Sequence, residues 1–433
     1  MSMRLLPLIA AAFFLPSPAT AELSSAEKAM IQTVDTEQER TVSMLETWVN
    51  QNSGTLNSPG VEAVGRMLRA ELEPLGFKVD WIDMKTAGRA GHIVARHKGN
   101  GRGKRMLLIG HLDTVFEPDH AFQRWERKGD RGIGPGSGDD KGGMAVMIAA
   151  LRAMKAAGTL KQADIRVVLT GDEEDAGDPI EVTRGPLIEA GQWADVALDF
   201  EGLSQKDGRD MGAIARRSSD SWTLIVSGRP GHSSGVTHPD YGANYELARI
   251  VDAFRRELGE DKLTYNVGMI GGGTTAEMDR DRIRLKATGK TNIIAAAAIA
   301  RGDLRAISQE QIERTQAKMR AIVAQSLPGT TAQINFDKGG YPPMAPTEGN
   351  RALLARLNRV NADMGLPEMA EVDPLERGAA DISFVARDVD GLAGLGPAGA
   401  GSHAPGEYVD IPSIAKQAKR AAILMSRLAR ERR

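Results

Sequence analysis

The chain has 433 residues, too many for one hydrophobic core, so two domains are expected. Lys plus Arg (55) nearly balances Asp plus Glu (57), without the basic stripe that grips a phosphate backbone, so nucleic acid is not an expected partner. The absence of cysteine removes disulfides, thiol nucleophiles and sulfur-based zinc sites, leaving His, Asp and Glu as the available metal ligands.

The chain opens "MSMRLLPLIAAAFFLPSPATAELSS". A basic Arg4, an apolar stretch from Leu5 to Leu15 and the small residues Ala19 and Ala21 form the pattern of a secretory signal over residues 1–21. The apolar stretch is short for a bilayer span. A secreted protein is therefore expected, in a bacterial periplasm, without a stable membrane anchor. "SSAEKAMIQTVDTEQERTVSMLETWVNQNSG" reads as a helix ending near Gly54, and "GVEAVGRMLRAELEPLG" as a second. Strands are expected at "GHIVARH", "RMLLIG", "DIRVVLTG" and "DVALDF", with the alanine-rich helix "KGGMAVMIAALRAMKAAG" between the second and third. Alternating strands and helices predict an α/β domain with a mostly parallel central sheet.

The pattern changes near residue 214. "SWTLIVSG", "ANYELARIVDAFRREL", "KLTYNVGMI", a strand through "TNIIAAAAIARGDLRA", "SQEQIERTQAKMRAIVAQSL" and "TAQINFD" follow as β-α-β-β-α-β, the ferredoxin-like order. The run Ala295–Ala298 suits helix equally well, and Ser308 with Gln311 forms a capping box. From residue 339 the α/β character returns and ends in "SIAKQAKRAAILMSRLARERR". The expected organisation is an α/β domain over residues 22–213 and 339–433, interrupted by a small α+β domain over 214–338.

Acidic and imidazole groups stand where the apolar strands stop. "RMLLIGHLDTV" ends in His111 and Asp113, "GPGSGDDKGG" brings Asp139 and Asp140 before a helix, "VVLTGDEEDAGD" has four consecutive carboxylates from Asp172, and "DVALDFEG" ends in Glu201. Functional groups of open α/β sheets gather at the carboxyl ends of strands, and N and O donors of this kind suit first-row divalent metals. Singly, each has a plainer reading: His111 as a core histidine, Asp139 as a helix cap, the surrounding glycines as turn residues. Those glycines match neither G-x-x-x-x-G-K-[ST] nor G-x-G-x-x-G, and no G-x-S-x-G elbow frames a serine nucleophile.

"GHLDTV", "GPGSGDDKGG", "TGDEE", "DFEG" and "GSHAPGEYVD" resemble, in order and spacing, the motifs of the dinuclear zinc aminoacylase and glutamate carboxypeptidase family. That family includes acetylornithine deacetylase and succinyl-diaminopimelate desuccinylase. The resemblance implies a zinc-aminopeptidase-like catalytic domain with an inserted ferredoxin-like lid that also makes a homodimer. It implies two divalent ions, zinc foremost, with cobalt or manganese as substitutes. Asp139 would bridge them, His111 and Glu201 completing one site and Glu174 and His403 the other. Asp113 would orient His111, and Glu173 would be the general base, leaving the outer carboxylates Asp172 and Asp175 to solvent. From the lid, His232 would reach the partner subunit's site as an oxyanion stabiliser, its plainer reading being a turn histidine. Asn292 and Arg305 would hold a substrate carboxylate, the alternative for Arg305 being a surface pair with Asp303. The implied substrates are small peptides, cleaved at the C-terminal residue, or N-acyl amino acids. A non-catalytic periplasmic binding protein with a metal-lined cleft is the remote alternative.

Three positions depart from the family pattern. "NII" is followed by Ala295 rather than Pro, "GAADISF" retains Asp381 but lacks a Ser before it, and Tyr341-Pro342 stands where the glutamate-releasing branch has Arg-Pro. These changes put glutamate specificity in question and leave the metal ligands untouched.

Overall fold

The computed structural model describes residues 22–235 and 241–433; the signal-like segment lies outside the described residues. The first expected helix is two helices, α1 (Ser25–Thr36) and α2 (Gln38–Val49). Ser24 and Glu27 form a capping box at the start of α1, and the chain breaks at Glu37, whose ψ of 9° leaves the helical range. The break lets each helix turn its own apolar face, Met30 and Val34 on one and Leu45, Trp48 and Val49 on the other, into the same core. Asn57 caps α3 (Ser58–Leu72).

The central sheet is built from β1 (Lys78–Asp83), β2 (Gly91–His97), β3 (Arg105–His111), β4 (Asp164–Thr170), β5 (Val196–Asp199) and a short strand, Gly391–Leu392. Their order is β1-β2-β4-β3-β5 with Gly391–Leu392 at the far edge. From β4 onward neighbours are parallel, while β1 and β2 form an antiparallel margin. The edge strand β1, "KVDWID", was not expected, because its alternation of apolar and charged residues is brief. Met106 to Ile109 of β3 are fully buried, as a parallel strand covered on both faces requires. The helix α4 (Lys141–Ala156) covers one face and is buried on nearly all sides, between the sheet, α1, α2 and the C-terminal helix. Leu187 and Ala190 of the helix Gly185–Trp193 pack on the other face.

The inserted unit has its own sheet: β6 (Asp220–Gly228), β7 (Thr264–Gly273), β8 (Ala297–Arg305) and β9 (Thr330–Phe336), in the order β7-β8-β6-β9 with all neighbours antiparallel. The helices α5 (Gly242–Glu257) and α6 (Gln309–Val323) cover one face around Trp222, which meets Phe254 edge-on. This is the expected ferredoxin-like order. The ambiguous alanine run enters β8 at Ala297, where Ala298 and Ala300 are small enough to lie beneath α5. Ser308 caps α6 through the Gln311 N–H, but the Gln311 side chain accepts from Ile307 N–H, so the capping box is displaced by one residue. The two segments that enter and leave this unit pair with each other, Arg216 with Met344 and Ser219 with Tyr341. After them come α7 (Glu348–Asp363) and α8 (Ile411–Leu428).

Candidate metal centre

His111 is the last residue of β3, while Glu174 and Glu201 follow β4 and β5 within a few residues, so one end of the sheet presents all three. Asp139 lies in the glycine-rich loop before α4, and its peptide bond to Asp140 is cis. His403 arrives on the loop between the short strands Gly399–Ala400 and Tyr408–Asp410. The second of these pairs with Arg131–Ile133, bringing the His403 loop beside the Asp139 loop.

The ligand atoms of His111, Asp139 and Glu174 lie within 4.8 Å of one another. His111 Nε2 is 3.0 Å from Asp139 Oδ1, and His403 Nε2 is 3.3 Å from Asp139 Oδ2 and 3.0 Å from Glu174 Oε2. Asp139 therefore turns one oxygen toward each imidazole, the disposition a bridging carboxylate needs. Glu201 stands apart from this group. Its Oε2 accepts from Arg216 Nη2 at 2.6 Å, although Glu201 and Asp139 line one small cavity. Imidazole and carboxylate donors without sulfur fit a first-row divalent ion, and the crowded acids favour positive charge. Burial opposes a charge on His111, but hydrogen bonds to Asp113 and Asp139 hold its pKa well above the usual range. The half-exposed His403 is raised to about 10 by Asp139 and Glu174, and Asp139 overcomes its burial through both histidines to lie far below the ordinary carboxylate range.

Glu173 behaves differently from its neighbour. Burial pushes its carboxyl well above the usual range, reinforced by Glu201, Asp381 and Glu174 against the pull of His111. Such a group takes and holds a proton readily. The acidic loop is positioned by Asp113, whose carboxylate accepts from Glu173 N at 3.0 Å, Glu174 N at 3.1 Å and Thr55 Oγ1 at 2.7 Å. The same residue meets His111 Nδ1, at 3.1 Å through its carbonyl and 3.3 Å through Oδ1. One aspartate thus sets both the imidazole and the acidic loop.

The outer acidic residues differ from expectation. Asp172 is fully buried, paired with Arg184 at 2.5 Å and accepting from Gly177 N; only Asp175 is exposed, paired with Arg89. A buried carboxylate needs such a partner, and the partner, twelve residues on, carried no signal in the local sequence. Arg184 also pairs with Asp381 and donates to Tyr341 Oη, and Tyr341 in turn donates to the Glu173 carbonyl at 2.7 Å. Asp381 therefore supports the loop from beneath.

The lid residues are not brought together as a group. His232 and Asn292 meet at 3.2 Å on the short pairing of Gly231–His232 with Ile293–Ile294, and the other ring nitrogen of His232 engages Ser234. Arg305 ends β8, roughly 26 Å along the strand from its first residue at the usual rise, and pairs with Asp303 at 3.2 Å. Two supports went unread in the sequence. Glu407 accepts from the N–H groups of Gly136, Gly138 and Asp139, and so shapes the loop that presents Asp139. Its place four residues after His403 in the quoted motif was the available signal. Arg216 had none.

Residues 107–427 match the family model described as Peptidase family M20/M25/M40. Carboxypeptidase G2 of Pseudomonas sp. (strain RS-16) is 29% identical over 412 residues, covering 94% of this chain and 93% of its own. A succinyl-diaminopimelate desuccinylase of Leptothrix cholodnii is 24% identical over 392 residues, covering 86% of this chain and 95% of its own. Among solved structures, aminopeptidase PepT of Bacillus cereus superposes with a TM-score of 0.72 at 18% identity, over 90% of this chain and 99% of that one.

Proposed function

The chain belongs to peptidase family M20/M25/M40, and from that premise we propose that it is a dinuclear metal-dependent exopeptidase that releases the C-terminal residue of small peptides. Family membership makes it a hydrolase of peptide or amide bonds, of carboxypeptidase or desuccinylase type. The observation that carries the finer reading is the division of labour between adjacent carboxylates: Glu174 faces His403, while Glu173 is partly buried, has no cation paired with it among the described residues and is suited to proton transfer.

His111, Asp139, Glu174, Glu201 and His403 would hold the two ions, zinc by preference. When bound, the ions supply Lewis acidity, polarising the scissile carbonyl and acidifying water. Glu173 receives the proton of the attacking water on a carboxylate oxygen and delivers it to the leaving nitrogen as the C–N bond breaks, giving a carboxylate and an amine. Asp113 keeps both Glu173 and His111 in place throughout. In a homodimer formed through the lid, His232 and Asn292 would serve the site of the other subunit, since among the described residues their polar contacts stay in the lid. Export to the periplasm is part of the proposal and is supported by the signal-like residues 1–21. Release of a C-terminal residue is supported by the carboxypeptidase relative, and glutamate as that residue only by the resemblance of the sequence motifs to the glutamate carboxypeptidase branch. N-acyl amino-acid deacylation is the second reading, supported by the desuccinylase relative and by the departures at Ala295, Ala380 and Tyr341.

The test is hydrolysis by the metal-reconstituted protein of dipeptides ending in Glu, Ala, Leu or Arg beside N-acyl amino acids, with a chelator control. Chelator-sensitive release of C-terminal residues is expected. Glu173→Gln should lower kcat by about 10²–10⁴-fold while metal content stays unchanged. Full turnover by that variant refutes the assigned base, and turnover of N-acyl substrates alone moves the chain to the second reading.

A further inference from the structure

Two guanidinium groups lie beside Glu201, and their situations differ. Arg216 is paired with two acids, 2.6 Å from Glu201 Oε2 and 3.3 Å from Asp199 Oδ2, although its Nε is buried without a hydrogen-bond partner. Arg377 has no acid of its own. Among the described residues, the carboxylate within 4 Å of it is the same Glu201 Oε2, at 3.8 Å, beyond a hydrogen bond. Its Nη2 donates to the Gly202 carbonyl at 3.3 Å, and its Nε is buried without a partner.

The surroundings of Arg377 are those of a receptor. It lines a cavity of about 110 Å³ together with Asp139, Glu201, Gly202, Pro397 and Ser402, and no other cation lines it. A carboxylate group fits that volume. With Glu201 serving as a ligand, its charge is claimed by the ion and by Arg216, and Arg377 is left as a surplus cation in the wall of the cleft. The Arg216 guanidinium repels that of Arg377, so an anion placed there relieves two like charges at once. The planar guanidinium of Arg377 offers the fork that a carboxylate matches. Arg305, by contrast, already has Asp303.

We propose that Arg377 is a specificity-determining residue that receives a carboxylate of the substrate beside the metal centre, so that the favoured substrates are acidic peptides or acidic N-acyl amino acids. This rests on the hydrolase reading for its setting and names the substrate class of that site.

Matched acid and amide substrates test it: Ala-Glu against Ala-Gln, N-succinyl-alanine against its succinamide analogue, and each substrate against its C-terminal amide. The wild-type, metal-loaded protein should prefer the acid in at least one pair by about 100-fold in kcat/KM, the contribution expected of a hydrogen bond to a charged group. Arg377→Met should remove that preference, lowering the acid member about 100-fold and the amide less than threefold, with both ions retained by elemental analysis. Arg377→Lys should restore part of it, because charge returns without the fork. Calorimetric binding of glutarate to the metal-loaded protein, lost in Arg377→Met, reads the same site without turnover. It therefore separates failure of this proposal from failure of the hydrolase reading. No acid preference together with no glutarate binding in the wild type overturns the proposal. Equal losses on acid and amide, or loss of metal in both variants, also overturn it by making Arg377 a structural part of the metal site.

Discussion

Glu407 is the support whose removal should be felt most sharply, and its geometry predicts a graded response. Its Oε1 accepts from Gly138 N at 2.8 Å and Asp139 N at 2.9 Å, while Oε2 accepts from Gly136 N at 3.1 Å. Glu407→Gln can keep the oxygen that serves two of these donors but must turn an amide N–H₂ toward the third. One lost bond at a buried donor costs about 1–2 kcal/mol. Glu407→Ala leaves all three donors without an acceptor, a cost of roughly 3–5 kcal/mol once entry of water is allowed for. Burial and the nearby Asp139 raise the Glu407 carboxyl to about 7, so the comparison belongs at pH 8, where the carboxylate is ionised. Urea denaturation with chelator gives the stabilities, and competition with a chromophoric chelator gives zinc affinity. Because Asp139 rides on this loop, affinity should fall about 10–100-fold in the alanine variant, the usual penalty for losing an outer support of a ligand. An alanine variant no worse than the glutamine variant, or two variants with wild-type zinc affinity, would refute the reasoning.

Asp113→Asn exchanges an acceptor for a donor opposite Glu173 N and Glu174 N, so zinc affinity by the same competition assay should fall about 10–100-fold. Unaltered affinity and kcat would show that the acidic loop holds itself. On the lid, Glu260 accepts from Arg314 and Lys318 of α6 at 2.8 and 3.0 Å, which lowers its pKa to about 2. Glu260→Gln should cost about 1 kcal/mol after solvent screening. A depressed carboxylate contributes stability above its unfolded pKa and loses it as pH falls through the folded value, so the deficit should be full above about pH 4.5 and vanish near pH 2. A deficit independent of pH would assign the loss to packing.

What the sequence disclosed depended on how local its cause was. His111, Asp139, Glu174 and Glu201 follow apolar strands or precede a helix within a few residues, so strand-end placement could be read directly. The βαββαβ order of the insertion was equally legible, since each element has its own period. Asp172 was misread because its burial depends on Arg184, and Arg184 shares in turn with Asp381 and Tyr341, far along the chain. Glu37 breaks a helix whose apolar period continues almost unchanged across it, so only the shared core beneath α1 and α2 reveals the turn. Arg377 sits in an unremarkable run, "LERGAAD", and gains meaning only from what Arg216 and Glu201 do beside it.

The paired segments that carry the chain into and out of the lid have a mechanical consequence. Arg216, on the first, grips Glu201; Tyr341, on the second, grips the Glu173 carbonyl. The links to the inserted unit and the supports of Glu173 and Glu201 are therefore the same pieces of backbone. Any displacement of the inserted unit that bent these segments would be transmitted to Glu173 and Glu201 together. A stiffening mutation in either segment would therefore be felt at Glu173 and Glu201 together.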